Sequence, residues 1–294
     1  ISTRVPGVIA EMNASEGQKV EKGQVLAKLD DSMFLADLAQ AKAAQAAAEF
    51  RLTEMKNGAL PEEIEQAIDE SGVPITATMN ILYIRTPEHQ ILVDTGMGGD
   101  DSPLLAGLKQ AGIKREDIDG IVITHGDSDH ISGITQADGT LTFPNAQYDM
   151  WKSEWEYRLA EAEKSDDPQD PARRNLLPIK DRVHLIDHET EILPGIWMLP
   201  MPGHKLGHSG LLLESEGERL LHIVDAAHHP MQLAHPDWSP RFDTQPEIAI
   251  QTRKALFERA ARENLLVLAY HFKFPGLGYI KRENGVMQWE AVKV

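Results

Sequence analysis

The stretch Ile121-Val-Ile-Thr-His125-Gly-Asp127-Ser-Asp129-His130-Ile-Ser-Gly133 decides the fold and the chemistry of this chain. An apolar run of β-prone residues stops here, and four side chains of metal-binding type follow within six residues. Residues at alternate positions of a tight loop can converge on two ions about 3.5 Å apart. The stretch therefore predicts a buried strand that ends at a metal site.

Three further candidate ligands stand at the ends of later apolar runs. His204 lies in the Gly-rich loop Pro202-Gly-His-Lys-Leu-Gly-His208, Asp225 ends one apolar run, and His271 follows another. Side chains at strand ends are placed to build a common site. The predicted metal ligands are His125, Asp127, Asp129, His130, His204, Asp225 and His271.

Composition limits the kind of protein and the kind of site. The 294 residues are 41% hydrophobic, which is enough to bury a core. With 46 acidic and 29 basic residues the net charge is −17, which disfavours nucleic acid as a partner. There is no cysteine, so His, Asp or Glu must bind any metal. No apolar run reaches about 18 residues, so we expect no membrane span and a soluble protein. Bacterial periplasm and cytoplasm both stay open as its location.

From Pro61 onward the pattern predicts an α/β domain. Helices are expected from Pro61, around Leu104–Ala111, after Met150 and over Pro246–Glu263, and Glu161–Pro171 is expected to be a solvated loop. The predicted strands are Met79–Arg85, Gln90–Val93, Ile118–Thr124, Arg182–Leu185, Gly195–Met201, Ser209–Ser215, Arg219–Val224 and Leu265–Tyr270.

The first sixty residues have a different texture. Residues 1–30 alternate β-prone runs with glycine, which predicts small paired strands, and Ser32 to about Met55 is an Ala-rich stretch that favours one helix. We therefore predict two parts, residues 1–58 and 61–294. The alanine face of the helix suits a protein partner that binds through residues 32–55, and a homo-oligomer is an open alternative.

The first part resembles the membrane fusion (efflux adaptor) proteins of bacteria. The half-motif Glu16-Gly17…Lys22-Gly23-Gln24-Val25-Leu26-Ala27…Asp30, followed by the Ala-rich helix, carries this resemblance to a lipoyl-like module. In that family a second half-motif completes the module, whereas here the chain continues differently. We therefore interpret these residues as a small β-plus-helix appendage without chemistry, and a working adaptor module is the alternative.

The second part resembles the metallo-β-lactamase superfamily through the ligand motifs and the turn Asp94-Thr95-Gly96. Phe143-Pro-Asn-Ala146, Glu154 and the tail after His271 are similar to its methyl parathion hydrolase-like and lactonase-like members. The resemblance implies an α/β fold, an αββα sandwich, to which the first sixty residues add the small N-terminal β-plus-helix appendage. It implies that one ion is held by His125, Asp127 and His204, a second by Asp129, His130 and His271, and both by Asp225.

One residue departs from the pattern of this superfamily. Its usual motif is His-x-His-x-Asp-His, and this chain has Asp127 in place of the second histidine. An anionic oxygen makes the site harder than a neutral imidazole does. We expect two divalent ions, with zinc first and manganese or iron as alternatives because of Asp127.

The predicted function is dinuclear metal-dependent hydrolysis, by a metal-bound hydroxide, of a small ester, lactone or phosphotriester. As catalytic residues, Asp129 would orient the hydroxide and accept a proton, and Asp225 would set the spacing of the ions. No organic cofactor is indicated. Two alternatives are a non-enzymatic periplasmic adaptor or scaffold, and a di-iron redox member of the same fold.

Several other residues are candidates for supporting roles. His208 is expected to support the metal ligands without binding a metal itself. His228 is expected to line the pocket, and the alternative is that it binds a metal. Trp155 is expected in the core or in the pocket, and Phe272 and Phe274 could border the cleft.

Overall fold

The computed structural model describes residues 9–29, 78–99 and 102–293. The chain divides into two compact units, Ile1–Asn57 and Gly58–Val294, and each is described by itself. No helix among the described residues is long and apolar enough to cross a membrane.

The first unit contains a small antiparallel strand pair. Strand β1 (Ile9–Met12) pairs with β2 (Ala27–Leu29), and two glycines with positive φ, Gly17 and Gly23, lie in the intervening turns. The prediction of paired strands in residues 1–30 is thereby confirmed. The helices predicted for residues 32–55 and from Pro61 lie outside the described residues, as does the boundary between 58 and 61. The boundary and the lipoyl-like resemblance stay predictions.

The second unit contains two sheets and six described α-helices. A five-stranded sheet has the order β3 (Leu82–Arg85), β4 (Gln90–Val93), β5 (Gly120–Ile123), β6 (Gln147–Trp151) and β7 (Val183–Ile186). A seven-stranded sheet has the order β14 (Val286–Ala291), β13 (Leu277–Glu283), β12 (Leu266–Ala269), β11 (Glu218–Val224), β10 (Ser209–Ser215), β9 (Ile196–Pro200) and β8 (Thr190–Leu193). The helices are α1 (Pro103–Gln110), α2 (Ser128–Ile131), α3 (Lys152–Lys164), α4 (Pro171–Leu176), α5 (Met231–Ala234) and α6 (Pro246–Glu263).

The packing of these elements makes four layers. Helix α6 packs Leu256 and Phe257 with Val267 of β12, while Leu108 of α1 and Trp155 of α3 pack with the five-stranded sheet. Between the two sheets lie Ile91, Val93, Val122, Ile186, Ile196, Met198 and Leu211. Both sheets are thus covered on their outer faces by helices and on their inner faces by each other. This is the predicted αββα sandwich.

Strand directions explain why the candidate ligands meet at one edge. Strands β4 and β5 are parallel, and so are β11 and β12. Strand β9 runs in the direction of β11 because antiparallel β10 lies between them. The two sheets are joined at this edge, where the Thr124 carbonyl accepts hydrogen bonds of 3.0 Å from both the backbone N–H and the hydroxyl of Ser209.

One prediction of a loop is partly wrong. Glu161–Pro171 was expected to be solvated loop, but helix α3 continues to Lys164 and α4 begins at Pro171. Glu, Ala and Lys are good helix formers, and Ala162 is fully buried in the core, so the helix is extended by a further turn. Only residues 165–170 of the stretch form a loop.

Candidate metal centre

The loop after β5 delivers four candidate ligands in a short space. Thr124 and His125 directly follow β5, Asp127 is the extended N-cap residue of α2 (φ −75°, ψ 153°), and Asp129 and His130 lie within that single helical turn. The change from extended to helical backbone turns alternate side chains toward one point. His125 and His130 are fully buried there, and their ring centroids are 3.9 Å apart.

Asp225 lies at the centre of the site. It follows β11 at a register irregularity, where Val224 has a positive φ of 48°. Its Oδ2 atom is 3.2 to 3.8 Å from the Nε2 atoms of five imidazoles. These belong to His125, His130, His204, His228 and His271.

The remaining ligands form two groups on either side of Asp225. In the first group, Asp127 Oδ2 lies 3.7 Å from His125 Nε2 and 3.4 Å from His204 Nε2. In the second group, Asp129 Oδ2 lies 3.5 Å from His130 Nε2 and 3.4 Å from His271 Nε2. The potential donor atoms within each group lie within 4.8 Å of one another. The structure thus brings all seven predicted residues together.

The donor atoms fit metal ions. The Nε2 atoms of His125, His130 and His204 and the Oδ1 atom of Asp225 are buried and have no hydrogen-bond partner among the described residues. Buried polar atoms rarely stay without partners, so such a cluster indicates a ligand. A set of imidazoles and carboxylates is what zinc, manganese and iron accept.

The other ring nitrogen of each predicted histidine has a partner. His130 Nδ1 lies 2.8 Å from Asp94 Oδ2, His204 Nδ1 lies 2.9 Å from Asp243 Oδ1, and His271 Nδ1 lies 3.0 Å from a backbone carbonyl. His125 Nδ1 lies 3.1 Å from the Thr124 hydroxyl. Donation from Nδ1 leaves the Nε2 lone pair free to bind a metal.

Electrostatics keep the carboxylates of the centre ionised. Burial opposes the ionisation of Asp225, but His130 and His271 outweigh it and hold its pKa well below the usual value. Burial likewise opposes the ionisation of Asp127, but its contacts with His125 outweigh it and lower its pKa. The pKa of His125 is lowered, first by burial and then by the neighbouring His130. Burial opposes the protonation of His130, His204 and His271, but the nearby carboxylates outweigh it and raise the pKa of each. The site therefore offers anionic oxygens, and an ion that binds these three imidazoles displaces their protons.

Asp127 has two cationic partners that the sequence analysis did not anticipate. Arg158 hydrogen-bonds its Oδ1 atom, and Lys205 Nζ lies 3.0 Å from its Oδ2 atom. Arg158 also pairs with Glu154, whose buried carboxylate accepts hydrogen bonds from the backbone N–H groups of Gly126 and Gly207. Glu154 therefore ties the loop of His125 to the loop of His204. The i, i+4 spacing of Glu154 and Arg158 on a helix could have suggested their pairing.

His228 is part of the centre, although it was not among the predicted ligands. Its Nε2 atom lies 3.3 Å from Asp225 Oδ2, and both of its ring nitrogens are buried without a partner among the described residues. Its ring is 4.7 Å from that of Phe242. The signal in the sequence was its position, three residues after a carboxylate that ends a strand.

The aromatic residues near the centre divide between the core and the surface. Trp155 and Phe272 are buried in the core clusters, and Phe274 is exposed on the surface. Phe242, which the sequence analysis did not name, is the aromatic residue packed against both His204 and His228. The core position of Trp155 agrees with the simpler of its two predicted roles.

His208 supports the central carboxylate from behind. Its Nδ1 donates to the Met201 carbonyl at 2.7 Å, and its Nε2 accepts from the backbone N–H of Asp225 at 3.2 Å. Burial, followed by the nearby His204, lowers its pKa to about 3, so the ring stays neutral. His208 therefore positions Asp225, as the sequence analysis expected of a residue behind the ligands.

An αββα sandwich with a His/Asp cluster at its strand ends defines a metal-dependent hydrolase. Comparison with known families identifies which one: the metallo-beta-lactamase superfamily matches residues 79–271. This is more than half of the chain, so the chain belongs to that superfamily.

Individual relatives point to the same chemistry. N-acyl homoserine lactonase of Bacillus cereus is 26% identical over 237 residues, covering 69% of this chain and 88% of that protein. The solved structure of AidC, a dizinc quorum-quenching lactonase, is 28% identical with a TM-score of 0.66, covering 74% of this chain and 80% of AidC. The hydrolase AbOPH is 25% identical with a TM-score of 0.70, covering 80% of this chain and 88% of AbOPH.

Proposed function

We propose that this chain binds two divalent ions, zinc in preference to manganese or iron, and hydrolyses a small lactone or ester with an apolar acyl group. The observation that carries this proposal is the convergence of five imidazoles on Asp225 Oδ2, with Asp127 and Asp129 on either side. Support comes from the dizinc lactonase AidC and the lactonase of Bacillus cereus, to which the chain is similar.

The side chains of the centre have separate tasks in this proposal. When bound, two ions would lower the pKa of a shared water and polarise the scissile carbonyl. Asp225 holds both groups at a fixed separation, and Asp129, which is half-buried beside His271, orients the attacking water and accepts its proton. His228 is placed to donate a hydrogen bond to a substrate oxygen held next to Asp225.

An apolar groove favours an acyl substituent on the substrate. The groove has a volume of about 720 Å³ and is lined by residues from 78–83, 95–98, 102–113 and 268–277 and by Leu220. It reaches Thr78, whose carbonyl contacts Nδ1 of His271. An acyl chain in this groove would therefore lie close to the second group of ligands.

The test is a substrate panel measured with a known metal content. Protein reconstituted with Zn²⁺, Mn²⁺ or Fe²⁺ is assayed with N-acyl lactones of increasing chain length, an aryl ester and a phosphotriester, and elemental analysis follows each preparation. We expect two ions per chain and a kcat/KM for lactones that rises with acyl length. Two bound ions without hydrolysis of any substrate would refute the proposal, and oxygen consumption by the iron form would then support the redox alternative.

We also propose that residues 1–58 are an appendage that contributes no ligand, because the candidate ligands found among the described residues all lie between His125 and His271. A chain that begins at residue 59 should keep its two ions per chain. Loss of metal on truncation would show that the boundary between the two parts is wrong.

A further inference from the structure

One buried and one partly buried cation lie beside Asp127 in the first group of ligands. Arg158 and Lys205 each contact one oxygen of Asp127, so both carboxylate oxygens have a cationic partner. Lys205 is only 8% exposed, and its Nζ also donates to the Phe242 carbonyl at 2.9 Å. Arg158 is held by the buried Glu154 carboxylate at 3.0 Å. Because burying an unpaired charge is costly, the carboxylates and these cations stabilise one another within the first group.

The same arrangement recurs one layer further out. Asp243, which contacts His204 Nδ1, is paired at 3.2 Å with the fully buried Arg253. Arg253 also donates to the backbone carbonyls of Ala226 and Trp238. Asp127 and Asp243, the two carboxylates that serve only the first group, are therefore neutralised by guanidinium or ammonium groups.

The second group has no such compensation in the described part of the chain. The Asp129 carboxylate is within ion-pairing distance only of His130 and His271 there, and Asp94, behind His130, accepts hydrogen bonds from the hydroxyl and backbone N–H of Thr124. No lysine or arginine among residues 78–99 and 102–293 lies within ion-pairing distance of either carboxylate. Asp127 and Asp129, which are two residues apart in the chain, therefore differ in their charged neighbours. Asp127 pairs with a lysine and an arginine, whereas Asp129 pairs with neither in the described structure.

We propose that Lys205 and Arg158 are positioning residues that set the charge and the metal preference of the first group. They bind the Asp127 carboxylate so that its Oδ2 atom faces His125 and His204, and they cancel its negative charge. The first group then offers the metal a hard oxygen ligand. Because the cations offset the carboxylate, its net charge stays close to that of a site built only from neutral histidines. The two cations and Asp127 are consequently a matched unit, and changing Asp127 alone leaves positive charge beside a metal dication. This inference rests on the proposed function, because it requires that ions bind.

The coupling between Asp127 and Lys205 provides the test. Dissociation constants for Zn²⁺ and Mn²⁺ at the first group are measured by chelator competition in Asp127→Asn and Asp127→His, each with and without Lys205→Met. Asp127→Asn is nearly isosteric and guards against a folding defect in the histidine variant, and melting of the metal-free proteins reports folding. We expect Asp127→Asn and Asp127→His to weaken Zn²⁺ binding at least about tenfold, and Lys205→Met to restore most of it.

Two further measurements show whether Lys205 positions the Asp127 carboxylate or only stabilises the folded protein: the metal preference and the effect of a conservative variant. Asp127→His with Lys205→Met should shift the ratio of Zn²⁺ to Mn²⁺ affinity toward zinc by about tenfold or more, because imidazole is the softer ligand. Lys205→Arg in the unchanged chain should keep the original ratio. As a matched control, Lys152→Met removes an exposed lysine that pairs only with Glu156 in the described structure, and it should rescue neither Asp127 variant.

Three outcomes separate this inference from the proposed function. Rescue by Lys205→Met but not by Lys152→Met supports the inference. If the unchanged chain binds two ions and the effects of Asp127 and Lys205 substitutions simply add, the inference is overturned and the proposed function stands. If the unchanged chain binds no metal, the proposed function itself fails, and the inference with it.

Discussion

The two groups of ligands around Asp225 differ in their surroundings more than in their ligands. Each has two histidines and one aspartate of its own, yet Asp127 lies between a lysine and an arginine, whereas the carboxylate of Asp129 pairs only with imidazoles in the described structure. The first group also joins loops of both sheets through Glu154. Neighbouring charges, rather than the identity of the ligands, therefore make the two halves of this centre unequal.

The largest effect is expected at Asp225, which both groups share. Asp225→Asn keeps the size of the side chain but removes the negative charge on which five imidazoles converge. We expect kcat/KM to fall by at least about 10³-fold, with fewer than two ions retained per chain. Activity assays with elemental analysis check this. Retention of both ions with activity within tenfold of the unchanged chain would place Asp225 outside the centre.

Substitutions of Asp129 and of Asp127 should change different properties, the first mainly kcat and the second mainly metal affinity. Asp129→Ala removes both a ligand of the second group and the group that orients the attacking water, so we expect kcat to fall about 10²-fold or more with little change in KM. Asp127→Ala should act mainly on the affinity of the first group for its ion. Steady-state kinetics at saturating metal measure the contrast. Equal losses of kcat in the two variants would contradict the division of roles.

Asp94 and Asp243 each contact the Nδ1 atom of a histidine ligand, and they differ in how many of the two groups they support. Asp94 contacts His130 and, through Thr124, lies next to His125, whereas Asp243 contacts only His204 among the ligands. We expect Asp94→Asn to weaken ion binding at both groups and Asp243→Asn to weaken it at the first alone, each by about 10- to 100-fold. Stepwise metal titration resolves the two sites. A loss confined to one site in Asp94→Asn would limit its role to His130.

The smallest effect is expected for a substitution of His208, which contacts the backbone N–H of Asp225, the residue that both groups share. Its pKa is about 3 in the folded protein, so the unfolded chain, with a value near 6.5, binds the proton more readily between these limits. The stabilising contribution is complete above pH 6.5 and is lost as the pH falls toward 3. His208→Gln should reduce this pH dependence in the metal-free protein by up to about 1.4 kcal/mol per pH unit. Urea unfolding at several pH values measures it, and parallel curves for both proteins would contradict the assignment.

Much of the fold was predictable because local patterns were strong. Strands Gln90–Val93 and Ser209–Ser215 and helix Pro246–Glu263 were predicted with the bounds that the structure shows. The hairpin of β13 and β14 was not predicted, although its turn, Asn284-Gly285, has the positive φ values that this dipeptide favours. Strand β6 was also missed, because its five residues mix polar and apolar types.

The sequence by itself determined which residues are available for the centre, because side chains of ligand type at strand ends can be recognised from local pattern alone. All seven of them meet in the structure. Only the tertiary structure decided that His228 joins them and that Asp127 is neutralised while Asp129 is not. Lys205 follows His204 in the chain, but Arg158 comes from a helix 31 residues beyond Asp127. The packing of that helix against the loops determines their contact, because charge interactions depend on distance in space, which sequence spacing does not reveal.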